Sequence, residues 1–149
     1  MPFLNIDGID YEAKVNYAFN RLAKEKYYGE DKDGNKSSGL TNIYEKLLRF
    51  DHEGLIGFWD CALNSVKNRP KLFKIEEALE ERIEQDGESE QLFKDCFNAM
   101  DQSGFFKTQA KKFWKDMEKT EDFVTDEKEK EQVKAYIKQM KENREAMTA

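Results

Sequence analysis

"FLNIDGIDYEAKVNYAFNRLA", residues Phe3–Ala23, changes its apolar period from two to helical within a few positions. Asp7-Gly8 is a two-residue turn of the kind that tolerates positive φ, as tight hairpins require. That register sets Ile6 opposite Ile9 and Leu4 opposite Tyr11 on one face, with Asn5 and Asp10 on the other. An isolated hairpin is marginal in water, so its apolar face must rest on helices. From Val15 onward Ala18, Phe19, Leu22 and Ala23 recur at helical spacing and supply the first of them.

Beyond this start the pattern is helical throughout. "YYGEDKDGNKSSG" (Tyr27–Gly39) reads as an exposed loop, rich in turn formers and charge. "LTNIYEKLLRF" then places Leu40, Ile43, Tyr44, Leu47 and Leu48 on one stripe. Asp51 is positioned to cap "EGLIGFWDCALNSV", whose apolar residues cover most of the helix circumference and predict the most buried helix. Pro70 disfavours helix at Arg69. "KIEEALEERIEQ" resumes with Ile75, Ala78, Leu79 and Ile83 inward, and Gly87 is a left-handed stop. Ser89 is the expected cap of a segment whose stripe is Leu92, Phe93, Cys96, Phe97 and Met100. Gly104 ends that segment, and "FFKTQAKKFWKDM" follows.

The last stretch has a different texture. "DEKEKEQVKAYIKQMKENREAM" carries only Val133, Tyr136, Ile137, Met140 and Met147 as its apolar line, among many i,i+4 charge pairs. So thin a stripe predicts a solvated helix held loosely. The expected architecture is mainly α, an α+β chain in which a two-stranded hairpin packs on a bundle of five to six helices. Residues 1–118 would form that domain, and 119–149 a linker and a semi-detached, charged C-terminal helix.

Composition narrows the function. Of 149 residues 38% are hydrophobic, 38% charged and 13% aromatic, which predicts a real core under a heavily solvated skin. A net charge of -6 disfavours binding phosphate backbones. The start lacks a cationic segment followed by an apolar run, so a secretory signal is not expected. No stretch approaches the ~18 apolar residues of a membrane span, and no membrane partner is expected. Cys61 and Cys96 lie among large apolar residues, where buried free thiols are expected and a reducing compartment fits.

Motifs for chemistry are weak. "DKDGN" hints at a calcium loop, but with Asp31 as first ligand the glycine position holds Lys36 and the glutamate position Asn42. His52 is the only histidine and has no partner at metal-ligand spacing, so no metal or other cofactor is expected. A His52–Cys61 nucleophilic pair would face different directions. Acidic pairs such as Glu76-Glu77 and Glu80-Glu81 occupy polar faces, whereas acid–base chemistry needs a carboxyl in a low-dielectric cleft. No catalytic residues are assigned.

The lysine-aromatic run "FFKTQAKKFWK" admits three readings: a core helix with solvated lysines, an anchor for a partner protein, or a platform on which aromatics stack nucleic-acid bases. Acidic neighbours Asp116, Glu118, Glu121 and Asp122 weigh against the third. The candidate partner-binding residues are Phe105, Phe106, Phe113, Trp114, Met117, Tyr136, Ile137 and Met140. Phe105, beside the Gly104 bend and off the main stripe, is expected to be among the more exposed aromatics.

The order of these elements resembles a known family, the tail assembly chaperones of long-tailed bacteriophages of Gram-positive hosts. The resemblance rests on "FLNIDGIDYEAKVNYAFNRLAKEKY", "GLTNIYEKLLRFDHEGLIGFWDCALNSVKNRPK", "IEEALEERIEQDGE" and "LFKDCFNAMDQSGFFKTQAKKFWKDME", spanning residues 3 to 118. The loop near Asp31 and the segment after Thr120 lie outside it. It implies a non-enzymatic protein of the host bacterial cytoplasm that coats and solubilises the tape measure protein, a long helical chain that sets tail length. It further implies help in recruiting the major tail (tube) protein, absence from the finished virion, and contacts with itself and with a frameshift-extended form. The rival expectation from the residues is a small helical DNA-binding regulator using the lysines of a later helix.

Overall fold

The computed structural model describes residues 1–149. Strands β1 (Phe3–Ile6) and β2 (Ile9–Glu12) pair antiparallel in the expected register, Leu4 with Tyr11 and Ile6 with Ile9. Asp7 (φ 52°) and Gly8 (φ 84°) make the turn, as primed hairpin turns demand. Asn5 supports it from the outer face, donating to Asp10 (2.9 Å) and accepting from the Gly8 amide (3.2 Å). Leu4 and Ile6 are buried, and β1 is the strand that rests on α4 (Leu72–Asp86). Ile9 departs from expectation: it is 57% exposed, because it begins the outer strand at the hairpin tip, beyond the helix that covers its neighbours.

Helix α1 (Tyr17–Lys26) is capped by Asn16, whose side chain accepts from the Phe19 amide at 3.0 Å. The charged loop that follows is exposed, as expected, but it closes a miniature hairpin of β3 (Gly29–Glu30) and β4 (Lys36–Ser37). The Asp31 carboxylate holds it, accepting from the amides of Asp33 and Asn35 and from the Asn35 side chain.

Helix α2 (Gly39–Leu48) starts hard against α1. A Cβ on Gly39 would lie 1.9 Å from the Ala23 carbonyl oxygen, so only glycine permits this approach. Asp51 caps α3 (His52–Ala62), accepting from the Glu53 amide at 3.0 Å. As expected, α3 is the central helix: Leu55, Phe58, Trp59, Cys61 and Ala62 are at most 1% exposed, and α1, α2, α4 and α5 (Glu90–Asp101) pack around it. Gly87 (φ 78°) stops α4. Ser89 occupies the cap position of α5 without making the cap bond; the Glu88 carboxylate takes the Glu90 amide instead, at 2.6 Å.

A turn through Gly104 leads to α6 (Lys107–Thr120), a single 3-10 turn (Glu121–Phe123), and α7 (Glu127–Thr148), capped by Asp126. The segment 119–149, for which the thin apolar stripe predicts a loose hold, lies on α2, α5 and α6. Ile137, Met140 and Met147 are buried there, Asn143 donates to the Leu48 carbonyl (3.0 Å), and Asn98 of α5 donates to the Met147 carbonyl (2.9 Å). The fold is therefore mainly α with a small β part: seven helices led by the antiparallel hairpin. No helix is long and apolar enough to cross a membrane.

Two buried acids tie the elements together. Asp60, 2% exposed on α3, accepts from Lys26 (2.8 Å), the Tyr27 hydroxyl (2.6 Å) and the Arg69 guanidinium. Burial by itself would raise its carboxyl, but the Lys26 and Tyr27 hydrogen bonds and the Arg69 charge outweigh it and hold Asp60 below the usual carboxylate range. Asp101 does the corresponding work at the other end, as described below. Cys61 and Cys96 are free and buried, and burial pushes both thiols far up, which leaves them inert hydrophobes.

Candidate functional site

Helix α6 is anchored by its first turn. Phe106 is fully buried and Ala110 nearly so, while Lys107, Lys111, Lys112, Lys115 and Lys119 face solvent. The lysine-aromatic run is thus a core helix in its first half. Its second half tilts the stripe toward a gap.

Tyr44 of α2 organises the region. Its ring stacks on Phe97 (4.8 Å), tilts on Phe106 (4.8 Å) and meets Phe113 edge-on (5.3 Å). Its hydroxyl donates to Asp101 at 2.6 Å and accepts from the Trp114 indole N–H at 2.9 Å. Burial, reinforced by the bond to Asp101, pushes the Tyr44 hydroxyl far above its ordinary value, so it stays a donor at any physiological pH. Arg144 of α7 closes the cluster, reaching Asp101 at 3.4 Å with its guanidinium 5.4 Å from the Trp114 ring centre. One tyrosine and one aspartate therefore join α2, α5, α6 and α7.

Beside this cluster α2, α6, the α6–α7 linker at Val124 and α7 leave a groove of about 820 Å³. Its apolar surface comes from Phe113 and Met117 of α6, Val124 of the linker, and Val133, Tyr136 and Ile137 of α7. Glu45, Lys112, Asp116 and Glu129 are the charged residues of its lining, together with Gln109 and Gln132. Tyr136 spans one side, its hydroxyl donating to Glu45 at 2.9 Å; burial, then the negative charge of Glu45, pushes it up to about 12. Phe123, the most exposed large apolar residue at 83%, precedes Val124 in the chain and is not part of the groove lining.

Four of the eight candidate residues, Phe113, Met117, Tyr136 and Ile137, are brought together in this groove. The other four are elsewhere. Phe106 and Met140 are core, and Trp114 is half-buried under Arg144. Phe105 is also half-buried, edge-on to Tyr17 at 4.9 Å, which corrects the expectation of exposure: the Gly104 turn directs it toward α1, not to solvent. Val124, Val133 and Glu45 were missed. The apolar pair between acids in "EDFVTD" was the available signal for Val124, and the apolar line of the terminal helix that for Val133. Glu45, on the polar side of an amphipathic helix, offered none.

The groove combines six apolar residues with polar and charged ones, among them the Lys112–Asp116 ion pair (2.8 Å) and the Tyr136–Glu45 hydrogen bond (2.9 Å). Neither a curated protein nor a solved structure matches the chain. A family model described as phage tail assembly chaperone protein, TAC, matches residues 3–115, covering the hairpin, α1 to α5 and the first two turns of α6. The chain belongs to the phage tail assembly chaperone family.

Proposed function

We propose that this chaperone acts without enzymatic chemistry, by taking apolar helical segments of the phage tape measure protein into the α2–α6–α7 groove. The observation that carries the reading is the groove itself, lined by Phe113, Met117, Val133 and Ile137 together with charged residues. An amphipathic helix recognises such a surface through anchors three and four residues apart. Each site is small, so single contacts are weak and reversible, and many copies on one long client sum by avidity. Reversibility suits a protein that works in the host cytoplasm, helps bring tube subunits to the client, and leaves before the virion is finished. Contacts with itself and with a frameshift-extended form belong to the same reading.

The test is co-expression with the tape measure protein. Wild-type chain is expected to hold the client in the soluble fraction and to co-elute with it. Met117→Glu/Val133→Glu, which puts two carboxylates on the groove walls, is expected to fold by circular dichroism yet lose the client. A folded double variant that solubilises the client undiminished would overturn the proposal. Salt-sensitive binding of duplex DNA by the same preparation would favour the regulator reading instead.

A further inference from the structure

The charge of the α2–α6–α7 groove is one-sided. Its lining carries three acids, Glu45, Asp116 and Glu129, against one base, Lys112. The Lys112 ammonium is taken by Asp116 at 2.8 Å, four residues further along α6. Glu45 accepts from the Tyr136 hydroxyl and lies 4.0 Å from Arg49, but both contacts are to Oε1, which leaves Oε2 open. Glu129, exposed in the first turn of α7, has no cation within 4.0 Å.

These two acids are set apart by a helical interval. Glu129 precedes Tyr136, to which Glu45 is bonded, by seven residues, which is two turns and about 10 Å of helix rise. Val133 lies between them on α7, and Phe113 and Met117 line the same groove from α6. A second helix laid alongside α7 rises by the same amount in seven residues, so it meets an acid at each end and apolar surface in the middle. Its arrival strips water from both carboxylates, a cost that a cation on the incoming helix offsets and an acid there increases.

Building on the client-groove reading, we infer that the groove selects amphipathic helices of basic character. The favoured segment carries apolar anchors at i+3 and i+4, flanked on the same face by lysine or arginine at i and i+7. Long basic side chains suit such ends, because their aliphatic stems lie on apolar surface while the charged heads reach the acids. The apolar anchors supply the affinity, and Glu129 and Glu45 decide which apolar helices are accepted.

The experiment is fluorescence anisotropy with the full chain and three labelled helical peptides of roughly 18 residues, long enough to hold a helix. All three have leucine at i+3 and i+4. The first has lysine at i and i+7, the second has glutamate there, and the third has glutamine there with its two lysines on the opposite face. Near ~0.05 M salt the first is expected to bind about tenfold tighter than the second and about threefold tighter than the third, with both ratios shrinking near ~0.5 M. Glu129→Lys is expected to weaken the first peptide about threefold and to tighten the second. Glu127→Lys makes the same charge change in the same turn of α7, outside the lining, and is expected to have the smaller effect. Equal binding of the first and second peptides, equal binding of the first and third, or a Glu129→Lys effect no larger than that of Glu127→Lys would overturn the inference and leave the groove an apolar site. Binding of no peptide, or binding of all three undiminished by Met117→Glu/Val133→Glu, would overturn the groove reading itself and this selectivity with it.

Discussion

Met140→Ala asks whether α7 is part of the domain. Met140 is 1% exposed, flanked along α7 by Ile137 (8%) and Met147 (1%). Removing a buried methionine side chain to alanine costs about 2–5 kcal/mol, the spread reflecting how far the site collapses. The loss read by the whole molecule cannot exceed the free energy with which α7 is docked, because beyond that point α7 detaches and the rest persists. Burying three such side chains contributes about 1.5–3 kcal/mol each. The bonds from Asn143 to Leu48 and from Asn98 to Met147 add to this, so the ceiling exceeds the expected loss. We expect about 3 kcal/mol, which for a chain of this size lowers Tm by about 6–12 °C. Thermal unfolding by circular dichroism gives the shift, and hydrogen exchange compares α7 amides with those of α3. Both helices are expected to lose protection together. A Tm within about 1 °C of wild type, with α7 amides alone deprotected, would refute the coupling and make 119–149 a separate unit.

Other outcomes follow from the buried acids and the tight helix join. Asp60→Asn leaves Lys26 and Arg69 facing a neutral amide and is expected to cost about 2–4 kcal/mol in urea unfolding, below the full buried-pair value because both cations are partly exposed. Because the Asp60 pKa is depressed in the folded state, its contribution is complete above the ordinary carboxylate value and disappears as pH falls through the folded one. Wild type is thus expected to lose its advantage over Asp60→Asn in acid, and an advantage unchanged with pH would contradict the assignment. Tyr44→Phe deletes one donor and one acceptor at the Asp101–Trp114 junction and is expected to cost about 1–3 kcal/mol, visible as a lower urea midpoint. Gly39→Ala drives a methyl into the Ala23 carbonyl, a backbone atom that no rotamer change can move aside. A loss of at least about 1–3 kcal/mol is expected, and wild-type stability would show that α1 and α2 can part.

What was legible in the chain was local. Asp7-Gly8 specifies its turn because the required φ values are available to very few residue pairs, and strand register follows from the turn. Asp51 declares a helix start because its carboxylate reaches an amide two residues away, and α3 declares itself central because apolar side chains surround it. Such rules act over a few residues, and the helical chaperone fold could be read from them in order. They fail where a competitor is equally local: Glu88 displaced Ser89 as the α5 cap, because its carboxylate is the stronger acceptor.

The groove and the buried acids were decided by tertiary structure. Phe113 and Met117 were legible as an apolar stripe, but whether a stripe is covered depends on which helix arrives opposite. Asn143 and Leu48, whose bond brings α7 onto α2, are 95 residues apart. Tyr44 and Asp101 are 57 apart, and nothing adjacent to either predicts that a tyrosine hydroxyl will accompany the acid into the core. The sequence by itself determined turns, caps, the central helix and the family. Only the packed chain decided which apolar residues remain uncovered and which charges lose their water, because desolvation is set by neighbours in space and periodicity reports only neighbours along a helix.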